Sequence, residues 1–315
     1  FIFQTTQYGD LPLPARLPVL PLVYHPEYSF PFPGKHRFPM EKFSLLHTHL
    51  RRRRIACVDN EFRPGRAKAA LLSQAHCPQY VSAMVNGTLD AKALRRMGLP
   101  WSEALLKRSC IAPMGTLMTT QLALEHGIAC HLAGGTHHAH YDFGSGFCIF
   151  NDQVFAVRQL LDRGVVNKVL MFDCDVHQGD GTAAMLADEP RAFTCSIHCE
   201  KNFPVRKMRS DLDVELPLGM TDQDYLDTVF STLESLLKSE QPDLVLYDAG
   251  VDIFQHDPLG RLHISEQGIA DRDRGVIVRC RSRNIPIATV IGGGYDDDRE
   301  ALARRHAIVI EQAFA

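Results

Sequence analysis

"KVLMFDCDVHQGDG", residues 168–181, joins an apolar run to ionisable side chains at alternate positions, Asp173, Asp175 and His177. An apolar run this short reads as a strand buried on both faces. Side chains two apart in a strand point the same way, with Cα atoms about 6.6 Å apart. Asp175 and His177 can therefore reach one cation from the strand's carboxyl end. Asp173, one step deeper, is better placed as a supporting charge.

The same grammar repeats outward from this stretch. Strand-like runs are "PLVYH" (21–25), "IACVD" (55–59), "IACHLA" (128–133), "AFTCSIH" (192–198), "DLVLYDAG" (243–250) and "IPIATVIGG" (285–293). Helix-like segments lie between them, over 40–53, 67–86, 102–126, 150–163, 221–239, 265–283 and 298–314. Such alternation predicts an α/β domain, a parallel sheet with helices on both faces. No internal repeat or low-complexity linker divides it, and 315 residues suffice for one large domain. Residues 1–20 are Pro-rich and lack the pattern of a secretory signal, so they read as a lead-in to a domain over 21–315.

Composition narrows the function classes. Hydrophobic residues make up 45% and charged residues 23%, which argues against disorder. A formal net charge of -3 gives no general attraction to nucleic acid or acidic membranes. No run approaches the roughly 18 apolar residues of a spanning helix. The nine scattered cysteines, several in strand-like runs (Cys130, Cys174, Cys195), suit a reducing, cytoplasmic compartment. Nothing in the sequence sets an oligomeric state.

In a parallel sheet, ligands bind beyond the carboxyl ends of the strands, and there the ionisable residues gather. "DAGVDIFQHDP" supplies Asp252 just past the strand over 243–250, completing a triad with Asp175 and His177. Asp, His and Asp with one open position is a catalytic metal set, since structural zinc usually closes its fourth position with Cys or His. A lone Asp is usually a cap or turn residue. Several buried carboxylates together are too costly without a cation. "GGTHHAHYDFGSGFC" (134–148) places His137 and His138 at another strand end, with Asp173 and Asp180 available to fix one imidazole each. In "GGGYDDD" (292–298), Tyr295 follows a Gly run and could donate to a developing oxyanion. Arg37, in "HRFPMEKF" (36–43), reads equally as a surface charge, and "RRRR" (51–54) as a solvated helix end.

Taken together, "GGTHHAHYDFGSGFCIFND", "DCDVHQGDG", "CSIH", "DAGVDIFQHDPLG" and "GGGY" resemble the successive motifs of the metal-dependent histone deacetylase family, in that family's order. The resemblance runs from about residue 24 to near the C-terminus. "DLDVELPLGMTDQDYLDTV" with "DPLGRLHIS" resembles the class IV branch and its bacterial relatives. It implies the arginase/deacetylase fold, a single-domain three-layer α/β/α architecture with a mostly parallel sheet of about eight strands. It implies one zinc per chain on Asp175, His177 and Asp252. His137 and His138 correspond to the tandem histidines, partnered by Asp173 and Asp180, with His138 as general base, and Tyr295 corresponds to the transition-state tyrosine. Asp173, Asp175, His177, Ser196 and Ile197 correspond to a monovalent cation site for potassium or sodium. Gly146 and Phe147 align with one wall of an acyl-lysine tunnel, and Phe203 is the candidate for the other. The implied reaction is removal of an acetyl or longer acyl group from a lysine side chain in a protein or peptide. The same fold family also offers acylated polyamines as substrates, a two-manganese ureohydrolase and a non-catalytic acyl-ligand binder. The filled catalytic positions and the single clear ligand in "VDIFQHDP" argue against the last two.

Overall fold

The computed structural model describes residues 19–315. The lead-in over 1–20 lies almost wholly outside them. Among the described residues eight strands form one sheet: β1 (Leu22–Val23), β2 (Glu61–Phe62), β3 (Ile128–His131), β4 (Val169–Asp173), β5 (Ala192–Cys199), β6 (Leu212–Leu216), β7 (Leu244–Asp248) and β8 (Ile287–Val290). Their order is β2-β1-β3-β8-β7-β4-β5-β6, and every pairing is parallel. The four central strands are buried at every position, as strands covered on both faces must be.

Ten helices accompany them: α1 (Lys42–Arg52), α2 (Ala69–Leu72), α3 (Pro78–Val85), α4 (Ala91–Met97), α5 (Glu103–His126), α6 (Asp152–Asp162), α7 (Asp180–Leu186), α8 (Asp222–Glu240), α9 (Glu266–Arg281) and α10 (Arg299–Phe314). Adjacent residues of β7 reveal the two layers, because neighbours in a strand face opposite ways. Tyr247 donates to Asp273 of α9, at 2.6 Å, while Asp248 accepts from Gln153 of α6, at 2.6 Å. Helices α1, α10, α9 and α8 pack in succession on the first side, and α5 packs with α6 on the second.

Three local expectations need correction. "IACVD" is not a strand: the amides of Ile55 and Ala56 both turn back to the Leu50 carbonyl, closing α1. The strand comes later, as β2. The segment over 67–86 is two helices, broken before Pro78, whose ring cannot continue a helix. The half-exposed, acid-bearing edge strand β6 lies in a stretch where no strand was expected. No described helix is long and apolar enough to cross a membrane, and the nine cysteines are free thiols.

Candidate active site

The adjacent strands β3, β8, β7 and β4 all deliver their carboxyl ends to one place. From β4 and β7 come Asp175, His177 and Asp252. The Nδ1 of His177 stands 3.1 Å from Asp175 Oδ1 and 3.1 Å from Asp252 Oδ2. Three donors on a tetrahedral ion with bonds of about 2.0 Å would stand about 3.3 Å apart, so the spacing suits a small metal ion. Backbone amides fix the acids: Val176 donates to Asp252 at 2.9 Å, and Gly293 to Asp175 at 2.6 Å. A side chain at Gly293 would run into both carboxylates, so only glycine lets the chain pass so close.

The charges at this centre are out of balance. Burial raises the Asp252 carboxyl, and the neighbouring Asp175 adds to this, to about 6. Burial opposes a charge on His177, but hydrogen bonds to Asp175 and Asp252 outweigh it and hold the imidazole up to about 10. Acids that draw a proton between them lack a cation. The donor chemistry and the charge deficit both fit a divalent metal.

Two imidazoles lie beside the triad. Asp173 Oδ2 accepts from His137 Nδ1 at 2.7 Å, and Asp180 Oδ1 accepts from His138 Nδ1 at 2.6 Å. Asp180 also accepts from His140 Nε2 at 3.0 Å. The rings of His137 and His138 are 4.2 Å apart, yet their affinities for a proton diverge. Burial disfavours charge on both. Around His137 the carboxylates of Asp173 and Asp175 overcome it, and the pKa is raised well above the ordinary value. At His138 the nearby His137 adds to burial, and the pKa falls to about 4.

Tyr295, at the end of β8, lines a small inner cavity with His137, His138, Asp175 and His177; the volume is about 30 Å³. Burial, reinforced by Asp252, keeps its phenol protonated. An outer cavity of about 340 Å³ opens from it to solvent and shares His138, His177 and Tyr295. Gly146, Phe147 and Phe203 all wall this outer space. Phe203 meets His138 edge-on at 4.8 Å between ring centres. Phe147 holds φ at +67°, a costly conformation for an aromatic residue.

Every expected triad, imidazole, phenol and tunnel residue therefore borders one of the two cavities or supports a residue that does. Ser196 and Ile197 do not. Both are buried in β5, where Ser196 lies across from Asp173 in register and its Oγ meets His198 Nδ1 at 3.0 Å. Arg37 is exposed at the outer rim.

Several residues at the site escaped sequence reasoning. Asp248, fully buried, forms a second acidic group with His137 and Asp173. Its signal was available: it ends β7 in register with Asp173 at the end of β4. Asp257 accepts the Tyr295 amide at 2.7 Å; burial and Asp252 raise its carboxyl to about 7. Asp152 gathers the Gly135 and Thr136 amides and so shapes the loop before His137. Lys42 and Arg108 bring buried cations to the inner cavity; burial lowers Lys42 to about 8.

The histone deacetylase domain model matches residues 36–312. An uncharacterized protein of the cyanobacterium Picosynechococcus is 48% identical over 289 residues, covering 92% of this chain and 96% of its own length. Histone deacetylase 2 of Arabidopsis thaliana is 37% identical over 184 residues, 58% of this chain and 48% of the plant protein. This chain thus spans about half the length of the plant enzymes it matches. The solved structure of an HDAC homolog from Aquifex aeolicus superposes with a TM-score of 0.77 at 21% identity, covering 92% of this chain and 82% of that one. That likeness shows a shared fold.

Proposed function

This chain belongs to the histone deacetylase family, and we propose that it hydrolyses the amide of an acylated lysine side chain. One observation carries the reading: a buried three-donor centre, two carboxylate-held imidazoles and a protonated phenol all border one narrow cavity. Asp175, His177 and Asp252 would hold a zinc ion, one per chain. Bound there, zinc would polarise the acyl carbonyl and lower the pKa of water from 15.7 toward roughly 7.

The protein's own groups do the rest. His138 borders both cavities, whereas His137 borders only the inner one. This supports His138 as the group that takes a proton from water within and passes it to the amine leaving through the outer cavity. Its Nδ1 is occupied by Asp180, which leaves Nε2 for the proton. His137, held by Asp173, serves as an electrostatic partner. Tyr295 donates to the oxyanion as the acyl carbon becomes tetrahedral. Phe147 and Phe203 flank the methylene stem of the lysine.

An inner cavity of about 30 Å³ has room for about two water-sized groups, which supports an acetyl group over a long fatty chain. A potassium or sodium ion would sit behind the centre on Asp173, Asp175, His177, Ser196 and Ile197. Residues 21–315 form the catalytic unit, and its free, mostly buried thiols support a reducing, cytoplasmic setting.

The test is acetate release from a neutral acetyl-lysine peptide, with decanoyl- and myristoyl-lysine peptides beside it. Release that a chelator abolishes and zinc restores supports the reading. An inert, zinc-loaded and folded protein refutes it.

A further inference from the structure

The outer cavity carries a charge pattern that catalysis does not use. Three arginines line it, Arg37 from the loop before α1, and Arg95 and Arg96 from the end of α4, and no carboxylate lines it with them. All three are exposed. Some surface arginines elsewhere are paired, Arg191 with Glu189 at 2.6 Å, Arg299 with Glu41 at 3.3 Å and Arg283 with Glu234, while others, such as Arg63 and Arg66, are not. No such partner is present for the three at the mouth among the described residues. Arg96 instead lies over the Phe143 ring, 4.4 Å from its centre.

Two of the nearby acids are already committed. Asp257, behind the mouth, spends its oxygens on the amides of Leu259, Gly260 and Tyr295. Asp296, in the adjoining hollow, pairs with Arg305. Exposed Asp297 lines that same hollow with Arg299 and with Arg37 itself, without an ion pair to either. A helix dipole explains basic residues in the last turn of α4, but not Arg37, which arrives from a separate segment. The chain as a whole carries a formal charge of -3, so positive charge is concentrated at this opening against the overall balance. A cleft lined by one sign of charge raises the local concentration of oppositely charged ligands.

We infer that Arg37, Arg95 and Arg96 make the mouth select an acylated amine with carboxylates beside it, and reject polycationic amines. An acyl-lysine in an acidic peptide segment meets this requirement, as does a small acylated amino acid with a free carboxylate. An acetylated polyamine does not. The inference rests on the hydrolase reading and specifies its substrate class.

The test compares kcat/KM for acetyl-lysine peptides with acidic, neutral and basic flanks, together with free Nε-acetyl-lysine and acetylspermidine, at low and physiological ionic strength. The acidic peptide is expected to exceed the basic one by about tenfold or more at low salt, through KM, with the gap narrowing as salt rises. Replacing all three residues (Arg37→Gln, Arg95→Gln and Arg96→Gln) is expected to erase the gap, and the triple Arg→Lys variant to retain it. Free acetyl-lysine matching the acidic peptide would identify the small acid as the source of the carboxylate. Equal or better turnover of the basic peptide or acetylspermidine overturns the inference, as does a preference that survives in the Gln variant. Turnover of the neutral peptide reports on the hydrolase reading independently, so the two failures are distinguishable.

Discussion

Two charged clusters are buried near the carboxyl end of β7, and they differ in balance. In one, Arg272 meets Asp273 at 2.9 Å and the Gly250 carbonyl at 2.7 Å, while Tyr247 donates to the same Asp273. Its cation is built into the chain. In the other, Asp175, Asp252 and nearby Asp173 and Asp248 outnumber the imidazoles among them. The first is closed and structural, and the second is left short of positive charge. They are also linked, because the carbonyl that Arg272 grips belongs to the loop between Asp248 and Asp252. The closed cluster thereby holds the open one's ligand in place. Burial of charge alone does not mark a functional centre; uncompensated burial does.

The largest effect should separate the two clusters by kind. Asp252→Asn is expected to abolish metal retention and turnover, yet leave the melting temperature of the metal-free protein unchanged or higher, since it relieves repulsion from Asp175. Metal analysis beside a thermal melt checks this, and a collapse in stability would contradict it. Arg272→Met should do the reverse, costing about 3–5 kcal/mol of stability by stranding Asp273. Denaturant unfolding measures it, and a loss below about 1 kcal/mol would dissolve the distinction.

Smaller effects sharpen the contrast. Tyr295→Phe should lower kcat about 100- to 1,000-fold with metal content intact; near-normal turnover would remove the phenol from the chemistry. A further effect concerns acid. Burial holds His76 and His198 down at about 4, and His131 at about 3. Between those values and about 6.5 the unfolded chain binds more protons than the folded one. Stability should therefore be full above pH 6.5 or so and fall as pH drops toward 4, by up to about 1.4 kcal/mol per pH unit for each such imidazole. His76→Gln should flatten the slope of melting temperature against pH, and an unchanged slope would exclude His76 from it.

Much of this was legible in the residues. Asp175, His177 and Asp252 stand out because acids directly after apolar strands break the pattern. The central strands were legible for the same reason, being buried on both faces. The edge was not read: β6 alternates acids with apolar residues, the pattern of a half-exposed strand, but its five residues lack the continuous apolar run that marked the others. Asp248 escaped because it closes a strand from within, and its significance lies in the register with β4. Lys42 escaped because a helical lysine usually faces water. Its spacing from Leu46 and Leu50, all buried on one stripe of α1, carried the signal. Phe203 was found only as a candidate, since its place depends on how a long loop folds back over His138.

The seating of β8 between β3 and β7 has a consequence for assembly. The two halves of the sheet, β2-β1-β3 and β7-β4-β5-β6, are joined only through β8, the last of the described strands in sequence. Only when the final strand threads in does Tyr295 come to stand over the ligands. The reaction chamber is therefore complete only once residues 287–295 are in place between strands that precede them in the chain.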